Sequence, residues 1–519
     1  MRRIAVSVLL VALFVSLVGF VVHRRIGGHT QPEIVADAES TTDADDETDV
    51  EAQTDTDTPT DTVTAAETVE PTPVADPVVP EPIADPVPVA APEATDEPVT
   101  DPVPQPVVDP APEVVEPARP SVLLDRPLRV IATHWEAATP ILLADQGGGL
   151  ERVGLRQELR VAHTAAEIEE ALARGGAEEG GADLAIVPLS TWVASYEHLA
   201  ALETEAFFVA AWSRGSQAFV ASPSLRAADH VPTDVTIASP ASAAETLTLA
   251  LLLSELGADP QRMRFAQPEE PGPSFAAIER ESPESTLRSS GRVPWISTAD
   301  ASRLSPWVVL APRAFVRDHQ PVLVAWSEAW LAALTLLSRD VPASARTIAA
   351  IEGAPPLIEV LRRLAQIEMV PLSAQAELAG LAGPTAITIE SLFRRTWALH
   401  RALGLIDGPV PETSPIATGT IATLVRRTPP ASTPPVPFRA PTDVRVLASA
   451  PLAASPEVAL ERLAFLAGVF PRSRVRVESR PSRLTQGLSD SAHERFAIDP
   501  ARLEVVTGHP SAMRVLAAD

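Results

Sequence analysis

The side chains able to do chemistry in this chain are few in kind. All 41 basic residues are arginine, because no lysine occurs, and there is no cysteine. That excludes Schiff-base chemistry, Walker-type phosphate loops, thiolate nucleophiles and metal sites, disulfides and a lipidated N-terminal cysteine. The ten histidines are scattered. None forms an H-E-x-x-H pair, and no G-x-S-x-G elbow raises a serine nucleophile. Acidic pairs such as Glu169-Glu170 fall on a helical face and read as solvated. The inventory points to a non-enzyme that needs no cofactor and no metal. Thr164 with Glu167, and Ser242 with Glu245, have capping-box spacing and mark the starts of two helices.

Those helices alternate with apolar runs. Leu128 to Thr133 reads as a strand, Ala137 to Gln146 as a helix stopped by Gly147-Gly148-Gly149, and Leu155 to Val161 as a strand. A helix over Ala165 to Arg174 ends at Gly175-Gly176. Asp183 to Pro188, Phe207 to Trp212, Gln217 to Ala221 and Val235 to Ala238 read as further strands. A helix led by Ser242 runs through Leu256 to Gly257. This rhythm predicts an α/β fold with a mostly parallel sheet covered by helices. Helical patterns follow at Pro321 to Ser338, Ser344 to Glu352, Pro355 to Ile367 and Ile389 to Leu403. All eight tryptophans lie between Trp135 and Trp397, so the large core is expected there.

The 519 residues carry a net charge of −27. Between Gln31 and Pro117 there are 24 acidic residues and no arginine, so the rest of the chain is nearly neutral. This segment lacks aromatic residues and helical periodicity, and its second half is a Pro-Val-Asp/Glu pattern. It is expected to be a disordered spacer, since it cannot bury enough apolar surface to offset chain ordering. So acidic a chain is a poor nucleic-acid partner. Ahead of the spacer, Ile4 to Val22 is apolar enough and long enough to cross a bilayer. No convincing cleavage site follows it, so a retained anchor is expected. Arg2 and Arg3 precede the span, and His23, Arg24 and Arg25 follow it. The charges nearly balance, which leaves both a periplasmic and a cytoplasmic body open, the periplasmic one preferred.

From Leu128 to about residue 408 the order of pieces resembles the type 2 periplasmic solute-binding proteins of the aliphatic-sulfonate, taurine and nitrate group, related to thiamine-precursor binders. The matching residues are Leu128-Arg129-Val130-Ile131-Ala132, Leu142-Leu143-Ala144, Gly149-Leu150, Ala166 to Leu172 with Gly181-Ala182-Asp183-Leu184-Ala185, Ser224-Leu225 leading to Val235-Thr236-Ile237-Ala238, and Leu253-Ser254-Glu255-Leu256-Gly257. The family's Asp-Leu-Lys-Gly-Lys turn is replaced by Arg226 to Thr233. The resemblance implies two lobes, at 128–212 plus 305–408 and at 213–304, with a small-molecule ligand held between them. Strand-end loops and helix N-termini would hold it. On that basis the candidate ligand contacts are Thr133, His134 and Trp135 after the first strand, and Ser190, Thr191 and Trp192 after the Asp183 strand. Ser239, Ser242 and Ala243 sit where backbone N–H groups could receive an anion, and Ser297 and Thr298 lie near the return crossing. Each has an ordinary reading beside it: helix caps for Thr164 and Ser242, packed core for Trp135 and Trp192, a loop residue for His134. No basic pair would clamp a sulfonate or phosphate, so the ligand class stays open.

After a Pro/Thr-rich stretch, Val444 to Leu447, a helix from Glu457 to Val469, Val475 to Glu478, Leu488-Ser489 and Ile498-Asp499-Pro500-Ala501-Arg502-Leu503 resemble an OmpA-like peptidoglycan-binding domain. The family's Gly-His-Thr-Asp is replaced by Ser479-Arg480-Pro481-Ser482, and Ala492 stands where arginine is expected. The resemblance therefore implies a degenerate tail whose grip on peptidoglycan stem peptides has lost its charged groups.

The expected organisation is a membrane anchor at 1–25, a disordered acidic Pro/Thr-rich linker at 26–126, and a bilobed domain at 127–408. A partly Pro-rich linker at 409–441 and an OmpA-like domain at 442–519 complete it. The function implied is an envelope protein, anchored in the inner membrane through residues 4–22. It would bind a small solute in an interlobe cleft and deliver it to an ABC-type transporter permease. The alternative is a structural or sensory envelope protein without transport, associated with the cell wall through its tail.

Overall fold

The computed structural model describes residues 122–279, 291–429, 445–453, 455–479, 487–507 and 511–517. The expected membrane span, almost all of the acidic linker and the 430–441 part of the second linker lie outside the described residues; the 409–429 part is not a linker throughout but carries the helix Gly419–Arg427, which buries Thr420, Ile421 and Leu424. Among the described residues the strands form three sheets.

The first sheet contains β1 (Leu128–Ala132), β2 (Gln157–Val161), β3 (Leu184–Pro188), β4 (Glu205–Ser213), β10 (Pro306–Ala311) and β11 (Ile367–Met369), in the order β11-β4-β10-β3-β1-β2. β1 runs parallel to β2 and β3, whereas β10 is antiparallel to both β3 and β4 and β11 is antiparallel to β4. The sheet is therefore mixed, not mostly parallel as the helix–strand alternation predicts. The reason is that β10 returns from the second sheet and inserts between two strands that precede it in sequence. The near-continuous apolar runs of β3 and β10 suit strands buried on both faces. The 20-residue helix Gln320–Arg339 covers one face and buries Trp326 and Trp330. It is long and apolar enough to cross a membrane, but 56% of its most apolar stretch is buried in this core.

The second sheet holds β5 (Gln217–Ala221), β6 (Thr236–Ile237), β7 (Arg264–Phe265), β8 (Phe275–Glu279) and β9 (Val293–Ser297), in the order β7-β6-β8-β5-β9. Helix Ala244–Glu255 packs on it with eight consecutive residues buried, from Thr246 to Leu253. The chain crosses between the two sheets at 214–216 and returns at 298–305.

The third sheet joins β12 (Val446–Pro451), β13 (Arg474–Ser479), β14 (Leu503–Thr507) and β15 (Ala512–Leu516) in the order β12-β15-β13-β14, with β13 and β14 parallel. Helix Pro456–Val469 lies against it, and helix Leu488–Phe496 packs on that helix. Its apolar residues belong to one cluster with those of the second sheet and of helix Ile389–Ala402.

Three local expectations change. Glu167 does accept its place in a cap, its N–H bonding Thr164 Oγ1 at 3.2 Å, but Ser242 caps nothing. Ala243 precedes helix Ala244–Glu255, with no side-chain cap, and Ser242 is exposed. The helix expected to run to Ile367 ends at Leu364, because Ile367 pairs with Ser213 at the sheet edge. β15, absent from the sequence reading, pairs with both β12 and β13 at the centre of the third sheet.

Candidate functional site

β1 and β3 are adjacent and parallel, and their carboxyl ends open at the point where the chain order reverses, β2 lying to one side and β3 to the other. In open α/β sheets this is where loops diverge and leave a crevice. A cavity of about 100 Å³ lies there, walled by His134, Glu136, Pro188, Trp307, Arg363 and Gln366 from the first lobe and by Ser216, Gln217, Ala244 and Glu245 from the crossing and the second lobe. Ser190 Oγ reaches across to the Ala244 carbonyl at 3.4 Å and ties the two lobes over it.

The cavity's polar groups are unusual in their pairing. Glu136 is 7% exposed, Gln217 8% and Trp307 4%. Glu136 Oε2, Gln217 Oε1 and Trp307 Nε1 are each buried without a hydrogen-bond partner. Leaving such groups unpaired costs about 1–3 kcal/mol each, more for a charged one. Glu136 Oε1 lies 3.5 Å from Arg363 Nη1. Arg363 also donates from Nε to Glu359 Oε1 at 2.7 Å. Arg362 and Arg363 together hold the Glu359 carboxyl at about 2. The His134 ring meets Trp307 edge-on at 5.9 Å and its Nδ1 lies 3.0 Å from Thr133 Oγ1.

The crossing is pinned by Thr298, which is fully buried. Its Oγ1 accepts from Gly215 N at 2.8 Å, Ser213 Oγ at 2.7 Å and Gln217 N at 3.3 Å, and it donates to the Gln217 carbonyl at 3.2 Å. Gly215 has φ +100°, a conformation open to glycine and strained for other residues.

Of the residues chosen from sequence, His134 lines the cavity and Thr133 and Ser190 stand beside it through the bonds above. Ala243 immediately precedes the lining Ala244. Thr298 is the crossing pin rather than a lining residue. Trp192 is 1% exposed, donates to Thr204 Oγ1 at 2.9 Å, and stacks 4.9 Å from Phe393. It belongs to the core and not to the wall of this cavity. Trp135 packs against the first lobe's apolar cluster. Ser239 exchanges bonds with the Ala277 backbone at 3.3 Å, and Ser297 donates to Asp300 Oδ2 at 3.0 Å. Thr191 is half-buried and outside the lining, and Ser242 is exposed. Glu136, Gln217, Trp307, Arg363 and Gln366 were not foreseen. Glu136 follows Trp135 directly and could have been taken with it as a strand-end group. Arg363 and Gln366 arrive from more than 200 residues away, with no local signal.

Two other hollows differ in kind. A gap of about 20 Å³ beside Phe207, Leu378 and Ile421 is apolar packing space. A crevice of about 270 Å³ separates the second lobe from the third sheet, but Arg514 on its rim is already bonded to Glu478 at 2.9 Å.

The architecture thus defines an α/β chain of three mixed sheets, the first two joined by two crossings with a polar cavity at their junction. No protein-family model and no curated protein matches the sequence. Among solved structures, the chain is similar to a periplasmic sulfonate-binding protein SsuA of a sulfonate ABC transporter from Methylobacillus flagellatus KT (16% identity, TM-score 0.42, 58% of this chain and 94% of that one). It is also similar to the alkanesulfonate-binding protein SsuA from Xanthomonas axonopodis pv. citri bound to MOPS (17%, 0.38, 56% and 98%). A third is the periplasmic nitrate-binding protein NrtA from Synechocystis PCC 6803 (10%, 0.39, 58% and 85%). These neighbours are binding proteins at low identity, and they assign no ligand to this chain.

Proposed function

We propose that this protein captures a small polar solute between its two lobes, by non-covalent binding with a hinge motion at the 214–216 and 298–305 crossings. The observation that carries the reading is the junction cavity of about 100 Å³, walled by polar side chains such as His134, Arg363 and Gln366 from the first sheet's side and Ser216 and Gln217 from the crossing and the second sheet. The apolar Ile4 to Val22 segment and the acidic spacer support an envelope protein tethered to the inner membrane with its body in the periplasm. Transfer of the solute to an ABC-type permease would follow from that placement.

A second reading has its own support. Helix Ile389–Ala402 packs against both the first-lobe helix Leu189–Ser195 and the second-lobe helix Ala244–Glu255. The third sheet's helix Pro456–Val469 is fastened to the same place, since Arg395 bonds Glu255 at 2.6 Å and the Glu461 carbonyl at 3.3 Å. Lobes held this way suit a structural or sensory envelope protein that keeps the bilobed shape without transport.

The test is a thermal-shift screen of the full-length chain against sulfonates, amino acids, pyrimidines and cell-wall fragments. The solute-capture reading expects at least one saturable shift that Ser216→Trp, which fills the cavity mouth, removes. Shifts from wall fragments alone, unaffected by Ser216→Trp, would favour the second reading.

A further inference from the structure

The C-terminal sheet touches the rest of the molecule where lobe movement has to occur. Within the return crossing, the Arg303 N–H donates to the Val469 carbonyl at 3.3 Å. Val469 is the last residue of helix Pro456–Val469. In the same crossing Asp300 lies 4.0 Å from Arg445, just ahead of β12; a half-exposed pair at that distance adds little by itself. One position before Val469, Gly468 lies against Ile387 and Ala386 with no room for a side chain. Ile387 leads into helix Ile389–Ala402, which packs on a helix of each lobe. Arg395 of that helix binds Glu255 of the second lobe, and its guanidinium also covers the ring of Phe465 at 5.0 Å.

Helix Pro456–Val469 therefore holds the return crossing at its carboxyl end and the lobe-spanning helix along its side. Rotation at the crossing carries Arg303 relative to helix Ile389–Ala402, and both partners of that displacement are fixed to the same stiff element. Close-packed contacts of this kind switch between arrangements and do not stretch. In the arrangement described the lobes already touch, Ser190 Oγ bonding the Ala244 carbonyl, so the movement left to them is parting. Resting on the two-lobed hinge of the capture reading, but on no ligand, we propose that the C-terminal sheet is a built-in hinge stop, its helix Pro456–Val469 setting how far the lobes part.

The experiment is pulsed electron–electron distance measurement on the full-length chain without solute, with spin labels at Gln146→Cys on the first lobe and Gln261→Cys on the second, both exposed positions. Two further substitutions loosen the stop by different means. Gly468→Ala drives a methyl group into Ile387, and Arg395→Ala removes the bridge to Glu255 and the cover on Phe465. The proposal expects each to add distances longer than any in the labelled parent chain. It expects Ile387→Ala, placed beside Gly468→Ala to make room for the methyl, to remove them again. Unchanged far-UV circular dichroism would show that a variant folds; where Gly468→Ala does not, Arg395→Ala decides. A lower urea midpoint with the parent's distance distribution would make these contacts a matter of stability alone and overturn the stop. A broad distribution identical in all chains would overturn the stop and leave the capture hinge standing. A single narrow distribution in all of them would overturn both.

Discussion

Thr298 concentrates the hinge chemistry in one hydroxyl. It accepts from Ser213 and Gln217 and donates back to the Gln217 carbonyl, in a buried setting. Thr298→Val keeps the shape and removes the oxygen. It should cost about 1–3 kcal/mol, read as a lower urea midpoint; an unchanged midpoint would show that the crossing is held elsewhere. His400 offers a second single-residue test. It is fully buried, neither ring nitrogen has a hydrogen-bond partner, and burial lowers its pKa to about 4. In the unfolded chain the ring titrates near ~6.5, so between those values the unfolded state binds more protons than the folded one. Stability from the neutral ring is then complete above about 6.5 and is lost as pH falls through about 4, a total on the order of 3 kcal/mol. Urea midpoints measured from pH 7 to pH 4 should fall more steeply in the natural chain than in His400→Leu; parallel curves would contradict this. At this scale the sequence was only partly readable. His134 and Ser190 were reachable from strand ends. Glu136 and Gln217 were not singled out, because a buried Glu or Gln has the same letter as an exposed one. Trp192 looked equally suited to wall or core, and only its neighbours Thr204 and Phe393 decide between them.

Among the elements, the helix Pro456–Val469 shows how the last sheet is built and attached. Arg502 donates to the carbonyls of Ala467 at 2.7 Å and Phe470 at 2.8 Å from Nη2, and to Ser473 at 3.2 Å from Nε. It closes the helix end, where unsatisfied carbonyls collect. Burial pushes it down to about 10, still charged at neutral pH. The arginine that carried the OmpA-like resemblance is thus occupied inside its own fold. Gly468, on the same helix, faces Ile387 and Ala386 so closely that no side chain fits. Gly257 has φ +111° and an added Cβ would lie 2.7 Å from Pro451 Cδ. Gly257→Ala should cost about 1–3 kcal/mol in backbone strain. It should raise hydrogen exchange in β12 before it does so in β1 or β3; equal protection in β12 would show that the contact does not hold the sheet in place. Helices and buried strands were legible because apolar periodicity is local. The antiparallel insertion of β10, the edge strand β11 and the strand β15 were not, because pairing partners lie up to a hundred or more residues apart and leave no periodic mark.

For the whole molecule the question is whether the lobes move. Two crossings pinned by Thr298 allow rotation, whereas helix Ile389–Ala402 and the Arg395–Glu255 bridge span both lobes and resist it. The chain contains no cysteine, so Gln146→Cys on the first lobe and Gln261→Cys on the second, both exposed positions, give two unique sites for spin labels. Pulsed electron–electron distance measurement on the doubly labelled full-length chain, with and without a saturating solute that gives a shift in the thermal screen, then reads lobe movement directly. The account predicts a broad distance distribution without ligand that collapses onto its short-distance part when that solute is bound. Identical distributions in the two states would mean rigid lobes and would contradict capture by closure.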